Sequence, residues 1–330
     1  MRHTDSVLVP TASLVIATHN GGTRVPRLFD AFEKQQDAPP FEVVVVDDAS
    51  TDGTADIVHE AAAGRPFPVQ VLRLDRNAGP AVARNRGWRS ANGDLIVFTD
   101  DDCVPEPEWL GTLTDALAGA DIAQGRTIPD PAHVREIGPF GHSVEVKAED
   151  GFYETCNIAY RRSALECVEG FDERFRHPFG EDSDLAWRAK AAGFSSTFVA
   201  DAVVVHDVSP SDFRSYLKRL RRRDGLVLAM QRHPQLRRTY QMGLFFSPTH
   251  PYAIALTAAI VSAAARPSSP RRWLSVGALA GAYARAAVKT RRGPMRRRQW
   301  VSAVPQSFAA DIVEIGVFAR ASARHRTLFL

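Results

Sequence analysis

The chain has 330 residues, 45% hydrophobic and 24% charged, with a net charge of +3. These are ordinary globular values, with ample length for a core, and they exclude fibrous and disordered classes. The small net charge hides an asymmetry: 211–330 holds 22 Lys and Arg against 4 Asp and Glu, a net +18, which leaves −15 for 1–210.

An acidic body joined to a basic tail suggests two different tasks, holding a cation and meeting an anionic surface. The three cysteines, Cys103, Cys156 and Cys167, are odd in number and lack a Cys-x-x-Cys pair. That pattern points away from a disulfide framework or a zinc site and fits a reduced compartment. Segment 1–10 has no apolar core after a basic start, so no signal peptide is expected.

In chain order, the run 13–17 reads as a strand ending at Thr18-His19-Asn20. Within 24–36, Val25, Leu28, Phe29 and Phe32 recur at helical spacing. A second strand, 42–46, ends on Asp47-Asp48, and the turn-rich 50–53 starts a helix over 54–63. A strand over 69–74 and a helix over 80–90 follow, then a strand over 94–98 that runs into Asp100-Asp101-Asp102. Two later runs, a short one at 122–123 and a longer one at 198–205, are also read as strands. Alternating strands and helices imply an α/β fold, a mainly parallel sheet with helices on both faces. In such sheets ligands bind beyond the carboxyl ends of the strands, where the acidic pairs and triplets sit.

From about 211 the acids nearly vanish and arginine clusters appear, as at 219–223, 237–238 and 296–298. The apolar stretches 251–265 and 273–288 lie between them, and Arg285 interrupts the second. Each is shorter than the roughly 20 apolar residues of a spanning helix, so a core helix or one lying in a membrane interface is expected. The expected organisation is a domain over 1–210, with a nucleotide half at about 10–105 and an acceptor half at about 106–210. A basic, mainly helical region over 211–330 follows it.

Three adjacent carboxylates at Asp100-Asp101-Asp102 repel one another unless a cation or donor groups compensate. Hard divalent ions such as Mg²⁺ and Mn²⁺ take such oxygen ligands together with substrate phosphates. The plainer alternative is a solvated acidic turn that caps a helix over 106–117. For Asp47-Asp48 the choice lies between hydrogen bonds to a base or ribose and a capped loop. Glu181-Asp182-x-Asp184 suits the first turn of a helix, and Asp184 is placed to pair with Arg188. His206 is either a satisfied strand-end histidine or a metal ligand. Cys103 and Cys156 read as small buried apolar residues.

Six segments in order resemble the family 2 inverting glycosyltransferases of the GT-A fold. They are Ile16-Ala-Thr-His-Asn20, Val46-Asp-Asp-Ala-Ser-Thr-Asp-Gly-Thr54, Asn77-Ala-Gly-Pro-Ala-Val-Ala-Arg-Asn-Arg-Gly87 and Phe98-Thr-Asp-Asp-Asp-Cys-Val-Pro105. Thr155-Cys-Asn-Ile-Ala-Tyr-Arg-Arg162 with Gly170-Phe-Asp-Glu-Arg-Phe175, and Phe179-Gly-Glu-Asp-Ser-Asp-Leu-Ala-Trp-Arg188, complete the set. The resemblance implies a nucleoside pocket lined by Ala17, His19 and Asp48, with Asp48 accepting from the base, and Arg84 reaching the base or a phosphate. It places Asp100 and Asp101 near ribose and metal. Asp102 would bind a divalent metal, Mn²⁺ or Mg²⁺, with His206 as a further ligand. It makes Asp182 the general base and puts Asn157 and Glu181 on the acceptor side. Trp187-Arg188 lacks the upstream Gln of the pattern seen in processive polysaccharide synthases, which implies addition of one sugar or few.

The expected partners are a nucleotide-sugar donor, a UDP-sugar foremost, and a hydroxyl acceptor that the sequence does not name. An anionic membrane surface is preferred over nucleic acid as partner of the basic tail. That implies a cytoplasmic protein, peripheral at the inner face of the cell membrane. The rival readings are a non-catalytic nucleotide-sugar-binding or scaffold protein of the same fold, and a nucleotidyltransferase.

Overall fold

The computed structural model describes residues 10–290 and 297–330, with side chains from 303 onward in the second segment. Segment 1–9 and the side chains of the arginine run 296–298 lie outside the described residues. The chain divides into two compact units, one of Met1–Asp130 and Ser143–Asp207, the other of Pro131–His142 and Val208–Leu330.

The first unit is built on one eight-stranded sheet. Its elements run β1 (Ala12–Thr18), α1 (Val25–Phe32), β2 (Phe41–Asp47), α2 (Thr54–Ala62), β3 (Val69–Arg73), α3 (Pro80–Ser90), β4 (Leu95–Asp100) and β5 (Cys103–Pro105). Then come α4 (Trp109–Asp115), β6 (Ile122–Pro129), β7 (Asn157–Arg161), α5 (Arg162–Cys167), α6 (Glu181–Ala191) and β8 (Ser196–His206). The strand order is β3-β2-β1-β4-β7-β6-β8-β5. Strands β1 to β4 are mutually parallel, as expected, whereas β7 runs antiparallel between β4 and β6, and β5 pairs antiparallel with β8.

The unbroken valine run of β2 follows from burial on both sheet faces. Val43 and Val45 pack with Leu14, Phe29 and Trp109 in one core, while Val44 and Val46 join Val15, Phe98 and Leu185 in the other. Helix α3 lies so close to the sheet that a Cβ on Gly87 would meet Val15 Cγ1 at 2.4 Å. All four parallel strands thus end on one edge, and Thr18, Asp47, Arg73 and Asp100 are their last residues.

The second unit is helical: α7 (Phe213–Leu220), α8 (Gly225–Arg232), α9 (His250–Ala264), α10 (Pro270–Thr290) and α11 (Arg297–His325). Ala253 and Leu256 of α9 pack with Tyr283 and Ala287 of α10. A buried polar group ties α9 to α11 and to the turn between α7 and α8, with Arg223 donating to Glu314 at 2.5 Å and His250 Nε2 lying 3.3 Å from the same carboxylate. Among the described residues no helix is long and apolar enough to cross a membrane.

Candidate active site

The loops beyond the parallel strands fold onto one another. His19 Nδ1 lies 2.8 Å from the Asp48 carbonyl oxygen, and Asn20 N–H donates to Ser50 Oγ at 2.8 Å. Asn20 and Ala49 both have positive φ, 55° and 54°, a conformation that Asn takes readily and Ala seldom. Ala17 is half-buried and His19 exposed. Asp48 is buried, and its two oxygens accept from Ala78 N–H at 2.7 Å and Gly79 N–H at 2.9 Å. It therefore braces the loop into α3, a contact the sequence reading did not anticipate. Gly79, at φ 94°, is required there, because a Cβ would strike the Arg176 carbonyl at 2.4 Å.

The three aspartates at the end of β4 face three different environments. Asp100 accepts from Arg84 Nη2 at 2.9 Å. Asp101 is buried, held by the Thr18 hydroxyl and by Arg24, whose Nη2 donates at 2.6 Å. Burial nonetheless raises its carboxyl above the usual range, against the pull of Arg24. Asp102 is brought to His206 by strand register, since Cys103 of β5 is the partner of His206 in β8. His206 Nε2 lies 3.6 Å from Asp102 Oδ1. Burial pushes Asp102 up to about 6, although His206 opposes the shift.

Asp102 and His206 form a fitting pair for a divalent ion. Their ligand atoms lie within 4.8 Å of one another and of Cys103 Sγ. His206 Nδ1 sits 2.8 Å from the Asp207 carbonyl oxygen, the kind of outer contact that fixes the tautomer and turns Nε2 toward a metal. The buried Cys103 thiol is held well above its ordinary pKa, by burial first, so it stays protonated and is a poor ligand for a hard ion.

Arg84 is buried, and its guanidinium contacts Asp100, Glu181 at 3.2 Å and Asp182 at 3.5 Å. Burial works against its charge, but the three carboxylates outweigh that and hold its pKa above normal. Asp182, in the first turn of α6, accepts from Thr155 N–H at 3.2 Å and Thr155 Oγ1 at 3.0 Å. Its carboxyl is pushed up to about 8, by burial first and then by Glu181. The loop entering α6 is strained, with Phe179 at φ 140° and its N–H donating to Glu181 Oε2 at 2.7 Å. Asp184 pairs with Arg188 at 2.8 Å, as the spacing predicts.

The two residues expected on the acceptor side, Asn157 and Glu181, are both buried. Asn157 is fully buried, accepts from Trp109 Nε1 at 2.8 Å and donates to the Arg126 and Ala202 carbonyls. That exhausts its side-chain donors and ties β6, β7, β8 and α4 together. Glu181, 1% exposed, braces Arg84 and the Phe179 loop. Sequence reasoning missed Thr18, Arg24 and Thr155, all of which hold site carboxylates. Thr18 and Thr155 sit inside quoted motifs, and that adjacency was the available signal.

Sequence comparison bears on the same segments. The profile of glycosyl transferase family 2 matches 13–169, and that of glycosyl transferase family group 2 matches 95–288, over half the chain. The chain belongs to glycosyltransferase family 2. It is a glycosyltransferase with a GT-A-like fold, as the motifs implied, and the scaffold and nucleotidyltransferase readings fall away. The glycosyltransferase AglE of Haloferax volcanii is 27% identical over 262 residues, 75% of this chain and 84% of its own. The pre-mycofactocin glycosyltransferase of Mycobacterium tuberculosis is 28% identical over 59% of this chain and 42% of its own. The mannosyltransferase PcManGT of Pyrobaculum calidifontis, solved with GDP-Man and Mn²⁺, aligns at TM-score 0.59 and 21% identity, covering 92% of this glycosyltransferase and 86% of itself. S. aureus TarS 1–349 with UDP-GlcNAc aligns at 0.52 and 17% identity, covering 96% and 92%. At these identities the structural likeness establishes the fold.

Proposed function

We propose that this glycosyltransferase moves a sugar from a nucleotide-diphosphate sugar to an acceptor hydroxyl in one inverting displacement, with Asp182 as the base. The observation that carries this reading is the Arg84 guanidinium, which joins Asp100 at the strand end to Asp182 at the start of α6. Donor-side and acceptor-side acids thereby share one buried cation. The structures with GDP-Man, UDP-GlcNAc and Mn²⁺ belong to relatives of the same fold, and they support a nucleotide-sugar donor and a divalent metal here.

Ala17 and His19 border the nucleoside, and Asp48 shapes the pocket by bracing 78–79. Asp100 and Asp101 would sit near ribose and metal. Asp102 and His206 would hold Mn²⁺ or Mg²⁺, which when bound neutralises charge on the leaving diphosphate. Asp182 accepts the acceptor's proton as the hydroxyl attacks. With no covalent intermediate, a single displacement inverts the anomeric centre. Thr155 donates two hydrogen bonds to Asp182, fixing the carboxylate's direction while Arg84 favours its charged form. The domain boundary near 210 separates this machinery from the basic region, which we place against the anionic inner face of a membrane on the strength of its +18 charge.

A panel of sugar nucleotides tests the donor reading, with thermal stabilisation and donor hydrolysis measured with and without Mn²⁺ or Mg²⁺. Metal-dependent stabilisation by one donor class, UDP-sugars foremost, is expected. A folded protein that responds to no donor would overturn the assignment.

A further inference from the structure

Helices α9 and α10 form a hairpin joined by 265–269. Its inner side is anchored, with Ala253, Leu256, Tyr283 and Ala287 buried together against Phe308 and Ile315 of α11. Its other side is apolar yet open: Val261 is 64% exposed, Trp273 48% and Leu274 73%. No charged side chain occurs from 250 to 265. Large apolar side chains left open on two neighbouring helices mark a candidate binding surface.

The charges around the tip are of one sign. Arg266, Arg271 and Arg272 flank Trp273, and no Asp or Glu occurs anywhere from 225 to 310. The tip is also preorganised. Arg272 Nη1 donates to the Ser262 carbonyl at 2.5 Å, and the Trp273 indole N–H donates to the Pro267 carbonyl at 3.0 Å. The helices do not suit a crossing: α9 has 15 residues, about 22 Å of helix against a hydrocarbon core of about 30 Å, and α10, though 21 residues long, carries Arg271, Arg272, Arg285 and Lys289. Aromatic and aliphatic side chains at a short tip ringed by arginine match the boundary between headgroups and acyl chains. Guanidinium groups there pair with phosphate oxygens.

We infer that the α9–α10 hairpin is the part of this chain that enters a membrane. Val261, Trp273 and Leu274 reach the outer acyl region of an anionic bilayer, and Arg266, Arg271 and Arg272 bind its lipid phosphates. The inference rests on the membrane-surface placement proposed above and names its contact.

Co-sedimentation of the full chain with vesicles tests it, using phosphatidylcholine alone and phosphatidylcholine mixed with phosphatidylglycerol, at low and high salt. The unaltered chain is expected to pellet with the anionic vesicles and less so at high salt. The double variant Trp273→Ser, Leu274→Ser is expected to lose at least about tenfold in partitioning, and Arg266→Glu with Arg271→Glu to lose the salt-sensitive part. These side chains are exposed, so unchanged melting temperatures check folding. Full binding by both double variants would overturn the hairpin while leaving the membrane placement standing. No binding by the unaltered chain would overturn both, with the glycosyl-transfer reading untouched. Pelleting without vesicles would assign the apolar face to self-association and overturn the inference. Stronger retention on duplex DNA than on anionic vesicles would do so in favour of nucleic acid.

Discussion

Replacing Arg84 by Met should move the pH dependence of transfer. Arg84 Nη1 lies 3.5 Å from Asp182 Oδ1, and the guanidinium is almost wholly enclosed. Two unit charges about 4 Å apart interact by about 4 kcal/mol at an effective dielectric of about 20, or about three pK units. The Asp182 side chain is 22% exposed, so solvent reduces that figure, and a rise of about one to two units is expected. A base works when deprotonated. In the native enzyme the rate should therefore climb with pH through about 8, where burial has pushed Asp182. In Arg84→Met the same limb should lie about one to two units higher, and kcat/KM at neutral pH should fall about 10- to 100-fold. Leaving the buried acids without their cation should also cost about 3–5 kcal/mol of stability. Arg84→Lys, which keeps charge but not the planar fork, should fall between. The assay is initial transfer rate against pH at saturating donor, with thermal melts to confirm folding. A folded Arg84→Met enzyme whose rising limb has not moved would refute the coupling of Arg84 to the base.

Four further outcomes are expected. Asp182→Asn should lower transfer by about 10²- to 10⁴-fold while metal-dependent stabilisation by donor persists; near-normal turnover would remove Asp182 from the role. The same variant should melt higher above neutral pH. A carboxyl whose folded pKa is raised to about 8 binds its proton more tightly in the native state, so its contribution fades as pH rises from about 4 toward 8. Thr155→Val removes the hydroxyl that donates to Asp182 at 3.0 Å; transfer should drop about tenfold, with Thr155→Ser restoring it, and a fully active valine variant would make Thr155 structural only. For His206→Ala, the metal concentration giving half-maximal stabilisation with UDP should rise at least about tenfold, and an unchanged requirement would exclude His206 as a ligand.

The parallel half of the sheet was legible because buried parallel strands are continuous apolar runs. The antiparallel insertions were not. Strand β5 has only three residues, Cys103–Pro105, too few for a periodic signal. Strand β7 begins with a fully buried asparagine, and polarity in a core strand masks its nature until the partners of Asn157 are seen. The acidic clusters could be read from adjacency alone. Their convergence could not, because Arg84 and Asp182 stand 98 residues apart, and nothing local marks Arg84 as buried. The apolar stretches of the tail were visible as stretches, but which face of each stays open depends on how α11 packs against them.

The charge balance around the site explains why its acids are arranged as they are. Five carboxylates, Asp100, Asp101, Asp102, Glu181 and Asp182, gather around two guanidinium groups: Arg24 serves Asp101, and Arg84 serves Asp100, Glu181 and Asp182. Asp102 has His206 beside it in place of a guanidinium. Burial raises Asp102 to about 6 and Asp182 to about 8, and it raises Glu154, close to Asp182, to about 8 as well. On the mechanism proposed above, Asp102 is where a divalent ion would offset the charge of the leaving diphosphate, and Asp182 is where the proton of the attacking hydroxyl would go. Arg84 holds Asp182 in place without lowering it to the ordinary carboxylate range.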